Sequence, residues 1–194
     1  ADTGSELPET YNTVARVREL CENAGLRFEI AYGAPEEFEE GIELHNYYMQ
    51  KETFPQLPMV RNPQCTFKFK IRPVRNLIKA HELFSSDGPK PHAISWLGIS
   101  TDERKRARKS DVQWIETRYP LLELGLSRQD CIKYIEKHYP QLNVGKSGCF
   151  CCPYSSAKTF VKLRVEHPDL FQICIDMERN ARDKGMKKGL RGGH

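Results

Sequence analysis

An α/β layer fold built on a largely parallel sheet is what the sequence predicts, on three observations. Helix-period apolar stripes recur along the 194-residue chain, two short segments carry strand patterning instead, and the strands alternate with helices in chain order. Two strand segments are few for this length. Together with a start at Ala1-Asp2-Thr3-Gly4 without methionine, this points to an N-terminal portion missing ahead of Ala1.

The elements follow in order. From Pro8 to Asn23, Val14, Val17, Leu20 and Cys21 form an amphipathic stripe, and Gly25 suits a C-terminal cap. Leu26, Phe28 and Ile30 alternate with Arg27 and Glu29, the period of a strand. Pro35, Glu36 and Glu37 fit a helix start, and the stretch from there to Lys51 reads as helix or irregular. Asn62-Pro63 marks a turn. Cys65 to Phe84 then reads as helix, interrupted or restarted at Pro73. His92 to Ser100, PHAISWLGIS, is a short apolar run expected to form a buried strand, followed by a polar, basic loop through Asp111. Ser127 and Asp130 make a capping box that starts a helix near Arg128. Ser155 or Ser156 caps a helix bearing Phe160, Val161 and Val165. Pro168 separates it from a last helix with Leu170, Ile173, Cys174 and Met177. The basic tail after Gly185 reads as mobile.

Composition sets the class. The chain is 39% hydrophobic and 29% charged with a net charge of +4, an ordinary globular balance that does not by itself demand nucleic acid. No apolar run approaches the roughly 18 residues of a membrane span and no signal-peptide pattern is present, so the expectation is a cytoplasmic protein with reduced thiols and no membrane partner. Seven cysteines, an odd number, in a chain long enough to bury a core argue against a disulfide framework. Three of them crowd into KSGCFCCPY, Lys146–Tyr154, and in a reducing compartment such crowding points to metal or catalysis.

Cys149 and Cys152 have the C-x-x-C spacing that presents two sulfurs to one centre. Cys65 and Cys131 are the candidate third and fourth ligands, since each sits near a predicted helix start where the dipole favours thiolate. A cubic iron–sulfur cluster and a tetrahedral zinc ion both suit four such thiolates. Cys131 reads equally well as a small buried hydrophobe, Cys21 and Cys174 read as core residues, and Cys151 as a passenger between two ligands. Asp2, Thr3 and Gly4 would stand at the carboxyl end of a strand, and Gly98 and Ile99 close the PHAISWLGIS strand. Such edges bind ligands in parallel sheets, with Asp102 and Glu103 as metal or ribose contacts. Charge runs are usually solvated faces, but beside such a pocket Lys70, Arg72, Arg104 and Arg106 suit phosphate or sulfate oxygens, and equally a polynucleotide backbone.

These pieces resemble a known family in their order: Asp2-Thr3-Gly4 with Pro8-Glu9-Thr10-Tyr11, Cys65 with Lys70 and Pro73, Trp96-Leu97-Gly98-Ile99 with Asp102–Arg106, Tyr119-Pro120-Leu121, and Gly148–Pro153. From Asp2 to about Tyr154 the chain is similar to the phosphoadenosine phosphosulfate reductase family, within the adenine-nucleotide α-hydrolase-like superfamily. The resemblance implies a Rossmann-like parallel sheet flanked by helices with a cysteine-bearing C-terminal helical part. It divides the chain into a nucleotide-binding portion at 1–125, a cysteine-bearing portion at 126–185 and a tail at 186–194. It also implies an adenine nucleotide (ATP or a sulfonucleotide) and tips the metal toward a 4Fe-4S cluster over zinc. In cluster-bearing reductases a double cysteine precedes the lysine and proline. Gln64-Cys65 offers one, and Cys131 substitutes.

Two departures shape the functional expectation. The S-G-G-x-D-S phosphate loop that precedes the Asp-Thr-Gly segment in the family does not occur, and no Glu-Cys-Gly-Leu-His motif carries a terminal thiol. The reading is therefore an ATP-dependent, adenylating sulfurtransferase rather than a sulfonucleotide reductase. A nucleic acid or a sulfur-carrier protein is the candidate partner, and a homo-oligomer is left open. The alternative is a non-catalytic, metal-stabilised nucleotide- or nucleic-acid-binding module.

Overall fold

Pro8, with no N–H to satisfy, opens helix α1 (Pro8–Asn23), and Gly25, at φ +66°, closes it. Leu26 N–H donates to the Cys21 carbonyl (2.8 Å), the i+5 bond of a Schellman close, as the cap pattern requires. The computed structural model describes residues 1–33, 42–53, 55, 64–81, 84, 93–142, 145 and 147–186. Among these, the chain is a mostly helical α/β structure with eight helices and one two-stranded parallel sheet. The expected helix start at Pro35–Glu37, the Asn62-Pro63 turn, His92, Lys146 and the tail beyond Met186 lie outside the described residues. No described helix is long and apolar enough to cross a membrane.

The chain divides into two units, one of residues 1–75 and 145–194, the other of 76–144. The boundary expected at residue 125 falls inside the second unit.

In the first unit, Leu26–Ile30 is extended as its alternation predicts, but it forms no ladder. Its continuation pairs only once, in a parallel bridge between Asp2 and Tyr32. A strand needs a partner along its length, and Leu26 and Tyr32 stay largely exposed for want of one among the described residues. α1 likewise buries none of its residues, so Cys21 is only partly covered rather than in the core. Helix α2 spans Leu44–Gln50. The helix expected from Cys65 is continuous past Pro73: α3 (Gln64–Thr66) runs through a π turn at Phe67–Ile71 into α4 (Arg72–Ala80). The proline has no N–H to give, and the Arg72 N–H reaches back to the Phe67 carbonyl, widening the helix by one residue. Phe69, in that widened turn, is fully buried.

Ser156 caps α7 (Ala157–Glu166), accepting from Thr159 N–H, and Pro168 opens α8 (Pro168–Asp183). The core lies where these helices meet α2 and the cysteine loop. It holds Leu44, Tyr47, Tyr48, Phe69, Phe150, Cys151, Leu163, Cys174, Met177 and Ala181. Truncating a fully buried phenylalanine such as Phe69 costs about 3–5 kcal/mol.

In the second unit, β1 (Ala93–Trp96) pairs in parallel with β2 (Ile115–Arg118), Ala93 opposite Ile115. The expectation of a strand buried on both faces is overturned: exposure alternates, and Trp96 is 73% exposed. β2 is not among the expected strands, although Ile115-Glu116-Thr117-Arg118 carries the same period-two alternation. A short α5 (Pro120–Glu123) follows, and α6 (Arg128–His138) begins with the full Ser127–Asp130 capping box.

Gly33 packs on the π turn so closely that an added Cβ would stand 2.7 Å from Pro73 Cγ and 2.8 Å from Phe69 Cα. Gly33→Ala should therefore lower the unfolding free energy by roughly 1–3 kcal/mol in urea titration. Gly98→Ala, whose nearest contact would be an ordinary 3.9 Å from Leu121, should leave it unchanged. Equal effects would show that the close approach carries no strain.

Candidate functional site

Asp2-Thr3-Gly4-Ser5-Glu6 is the segment to which the cysteine loop is attached. Asp2 N–H donates to Ala31 O (2.9 Å), Leu44 N–H to Thr3 O (2.8 Å), and Phe150 N–H to Ser5 O (2.9 Å). Glu6 and Cys149 form an antiparallel bridge. Gly4 sits at φ +66° against Glu43, where a Cβ would come within 2.6 Å of Glu43 Cγ, so only glycine lets the turn close. The Asp2 carboxylate accepts from Gly4 N–H (2.8 Å) and from the Tyr11 hydroxyl (3.1 Å). Ser5, fully buried, accepts on its hydroxyl oxygen from His45 N–H (3.0 Å) and contacts His45 Nδ1 (2.9 Å).

The Thr3 hydroxyl, also buried, lies 3.3 Å from Cys149 Sγ and donates to Glu6 Oε1 at 3.0 Å. The Cys149 thiol in turn donates to the same Glu6 oxygen at 3.5 Å. Burial first, and then the Glu6 carboxylate, push this thiol up to about 12, with Lys70 and Thr3 acting in the opposite sense. A cavity of about 300 Å³ opens beside it, lined among others by Asp2, Glu6, Tyr11, Phe28, Lys70 and Gly148. Nothing in the sequence singles out Glu6, which lies inside the TGSELPET run with no local feature to set it apart from Glu9.

Cys152 closes a turn on Cys149 through its N–H to the Cys149 carbonyl (3.1 Å). Cys65, at the head of the π-widened helix, shares its surroundings with this loop. The Tyr48 hydroxyl is raised chiefly by burial and further by Cys65, Tyr47, Cys151 and Cys149. That of Tyr154 is raised by burial and then by Cys65 and Cys152. All of these thiols thus lie within electrostatic reach of two phenols of one unit. Cys151 is fully buried in the core and Cys174 nearly so, as a passenger and a core residue should be. Cys131 is partly buried on α6, in the second unit.

The sulfurs do not share one small volume. Among the described residues, the group of three or more potential ligand atoms lying within 4.8 Å of one another is Glu9, Glu166 and His167, with no cysteine in it. That group is an ion pair joining α1 to the α7–α8 corner, with His167 Nε2 2.9 Å from Glu9 Oε1. Tetrahedral zinc at 2.3 Å would draw its sulfurs to about 3.8 Å from one another. A polynuclear cluster takes one thiolate per iron and spaces them more widely, which suits Cys65, Cys149 and Cys152 better. The donor chemistry fits a cationic centre, because the Cys149 thiol and the Glu6 carboxylate stand side by side with no positive partner in contact.

The remaining candidates divide. Lys70 lines the cavity, and Arg72 begins α4. In the second unit, Gly98 and Ile99 leave β1 at its carboxyl end, and Thr101–Arg106 forms a 3₁₀ turn. There Asp102 accepts from Ser100 Oγ (3.3 Å) and from Arg128 N–H (2.7 Å), which holds the start of α6. Glu103 pairs with Arg106, whereas Arg104 is exposed with no partner among the described residues. Tyr119 bonds the Arg108 N–H through its hydroxyl oxygen (2.7 Å), anchoring the basic loop.

Burial holds the thiols of Cys149 and Cys174 near 12 against an ordinary 9.0, so the folded protein keeps protons that the unfolded chain releases. The stability they contribute is complete below pH 9 and is lost as pH rises from there toward 12. In metal-free protein the urea midpoint should fall across this window, and Cys174→Ala should flatten part of that fall. An unchanged slope in the variant would show that this thiol ionises freely in the folded protein.

No protein-family model matches this chain, and no curated protein or solved structure matches it either.

Proposed function

We propose that this chain is a phosphoadenosine phosphosulfate reductase-like enzyme of the adenine-nucleotide α-hydrolase-like superfamily. In this reading it adenylates an acceptor oxygen with ATP and replaces that oxygen with sulfur. The observation that carries it is the join between the Asp2–Glu6 segment and the cysteine loop, made by the Phe150 N–H to Ser5 O bond and the Thr3 contact to Cys149 Sγ. Residues 143 or more positions apart are brought together where a nucleotide segment and a sulfur-handling centre would have to meet. The cavity beside them is at the lower end of the size range of ligand sites.

In this reading Cys65, Cys149 and Cys152 hold a 4Fe-4S cluster, with Cys131 as the fourth ligand expected from the sequence and zinc as the alternative metal. The cluster would supply a site for the sulfur to be transferred. Lys70 is the cation of the cavity and would pair with a phosphate. Asp2, Glu6 and Glu29 line the same cavity and call for hydrogen-bond donors or a magnesium ion accompanying the nucleotide. Thr3 and Gly4 bring backbone close to the ligand, and Gly98 and Ile99 stand at the carboxyl edge of the parallel pair, where nucleotides bind in such sheets. Arg104 and Arg106 are offered to the transferred group or to a nucleic-acid acceptor.

The transferase reading is preferred to the reductase because the thiols whose ionisation is perturbed, Cys149, Cys151 and Cys174, are all held protonated by burial. Such thiols suit metal ligation or packing, not direct attack on a sulfonucleotide.

Anaerobic purification followed by iron, sulfide and zinc analysis and visible absorption tests the centre. Iron and sulfide should accompany the protein, Cys149→Ala should abolish both, and removal of the metal should lower the thermal midpoint because the ligands are held together only in the fold. Pyrophosphate release from ATP in the presence of acceptor, rather than sulfite release from a sulfonucleotide, marks the transferase. Removing Arg104 and Arg106 together should weaken ATP binding roughly tenfold or more, the scale of one charge-assisted hydrogen bond. Protein that binds metal but neither nucleotide would instead be the non-catalytic module.

A further inference from the structure

Glu6 is the one described residue with a buried side-chain oxygen lacking any hydrogen-bond partner: Oε2 is closed off from solvent and unpaired. Its sister Oε1 is well supplied, by the Thr3 hydroxyl at 3.0 Å and the Cys149 thiol at 3.5 Å. Leaving a buried carboxylate oxygen unpaired is costly, and native proteins seldom tolerate it without a water, an ion or a functional reason. Lys70 lines the same cavity but forms no ion pair with Glu6. The pairing of Glu6 with Cys149 is fixed by the backbone, since the two residues are opposite each other in an antiparallel bridge, where side chains share a face. A carboxylate and a thiol thus face the same side of the Asp2–Glu6 segment, in the unit that also holds Cys65 and Cys152.

Resting on the metal centre proposed above, we propose that Glu6 supplies an oxygen ligand to it, so that Cys65, Cys149, Cys152 and Glu6 hold the metal and Cys131 does not. The orphaned oxygen then gains a cation, and the Cys149 thiol can ionise without facing a bare negative neighbour. A carboxylate is a harder and more readily exchanged ligand than thiolate toward iron, so the metal corner held by Glu6 is the one that opens to an incoming ligand. Glu6 also lines the cavity, so the exchangeable position and the ligand space share a residue. Thr3 becomes the positioning residue: its hydroxyl bond fixes Oε1 and leaves Oε2 to the metal.

The test is Mössbauer spectroscopy and metal analysis of the full chain, reconstituted anaerobically with iron-57 and sulfide. The parent protein should show one iron site distinct from the three thiolate-bound ones, and Glu6→Cys should make all four alike. Glu6→Gln, near in shape and able to keep the Thr3 contact, should lose the distinct iron to a chelator at least about tenfold faster while circular dichroism stays unchanged. Cys131→Ala should alter neither iron content nor spectrum. Four equivalent irons in the parent, an unchanged spectrum in Glu6→Gln, or loss of the centre in Cys131→Ala would each overturn the assignment. If the metal is zinc, X-ray absorption should read three sulfurs and one oxygen, and four sulfurs would overturn it. A parent protein that takes up no metal sinks the metal centre itself. One that loads normally but is indifferent to Glu6 sinks this assignment alone.

Discussion

The hydrogen bond from Phe150 N–H to the Ser5 carbonyl is the constraint on which the first unit turns. It ties a loop that has little regular structure of its own to a segment that also holds Ala31 through Asp2 and Leu44 through Thr3. Once that bond is made, Phe150 and Cys151 enter the core against α2 and α8, and Cys149 is left facing Thr3 and Glu6. The Gly4 turn makes the arrangement possible, because any Cβ there would collide with Glu43. Ser5 then commits its own hydroxyl to His45, so that no polar group of this tight corner except Glu6 Oε2 is left unanswered.

The same burial sorts the cysteines by chemistry. Cys151 and Cys174 behave as small apolar side chains, and the low polarity around them keeps their thiols protonated. Cys65 and Cys152 remain partly open, and Cys149 stands between the two groups, buried but in contact with polar partners. A cation is what that intermediate position lacks. The π turn contributes to the same end: by carrying Pro73 without breaking the helix it keeps Cys65 at the head of a continuous element whose Phe69 is locked into the core.

The second unit distributes its charges differently. Its parallel pair leaves Ile94 and Trp96 exposed on one face, while its carboxyl edge is occupied by the 3₁₀ turn and the basic loop. Asp102 and Glu103, candidate ligand contacts by sequence, are engaged within the unit, one with the start of α6 and the other with Arg106. Arg104 is thereby the member of the run whose guanidinium is not committed to a described neighbour, and Tyr119 holds the backbone that follows it.

Much of this protein follows from local rules that its amino-acid order makes legible. α1 and its Gly25 close, the Ser127–Asp130 box, the Ser156 cap and the Pro168 break are all decided by backbone groups satisfied within a few residues, so their signals sit in short stretches of sequence. Cys174 in the core follows from helix period in the same way. Leu26–Ile30 shows the limit, for alternation prescribes an extended chain but not the neighbour that would turn it into a strand, and β1 likewise alternates without being buried on both faces. Crowding of cysteines in KSGCFCCPY marks a place for chemistry, yet only tertiary structure separates buried Cys151 from Cys149 and sets Glu6 beside the latter. Those contacts join residues more than 140 positions apart through bonds that no local pattern encodes, because they depend on where Ser5 and Phe150 meet rather than on what surrounds either in sequence.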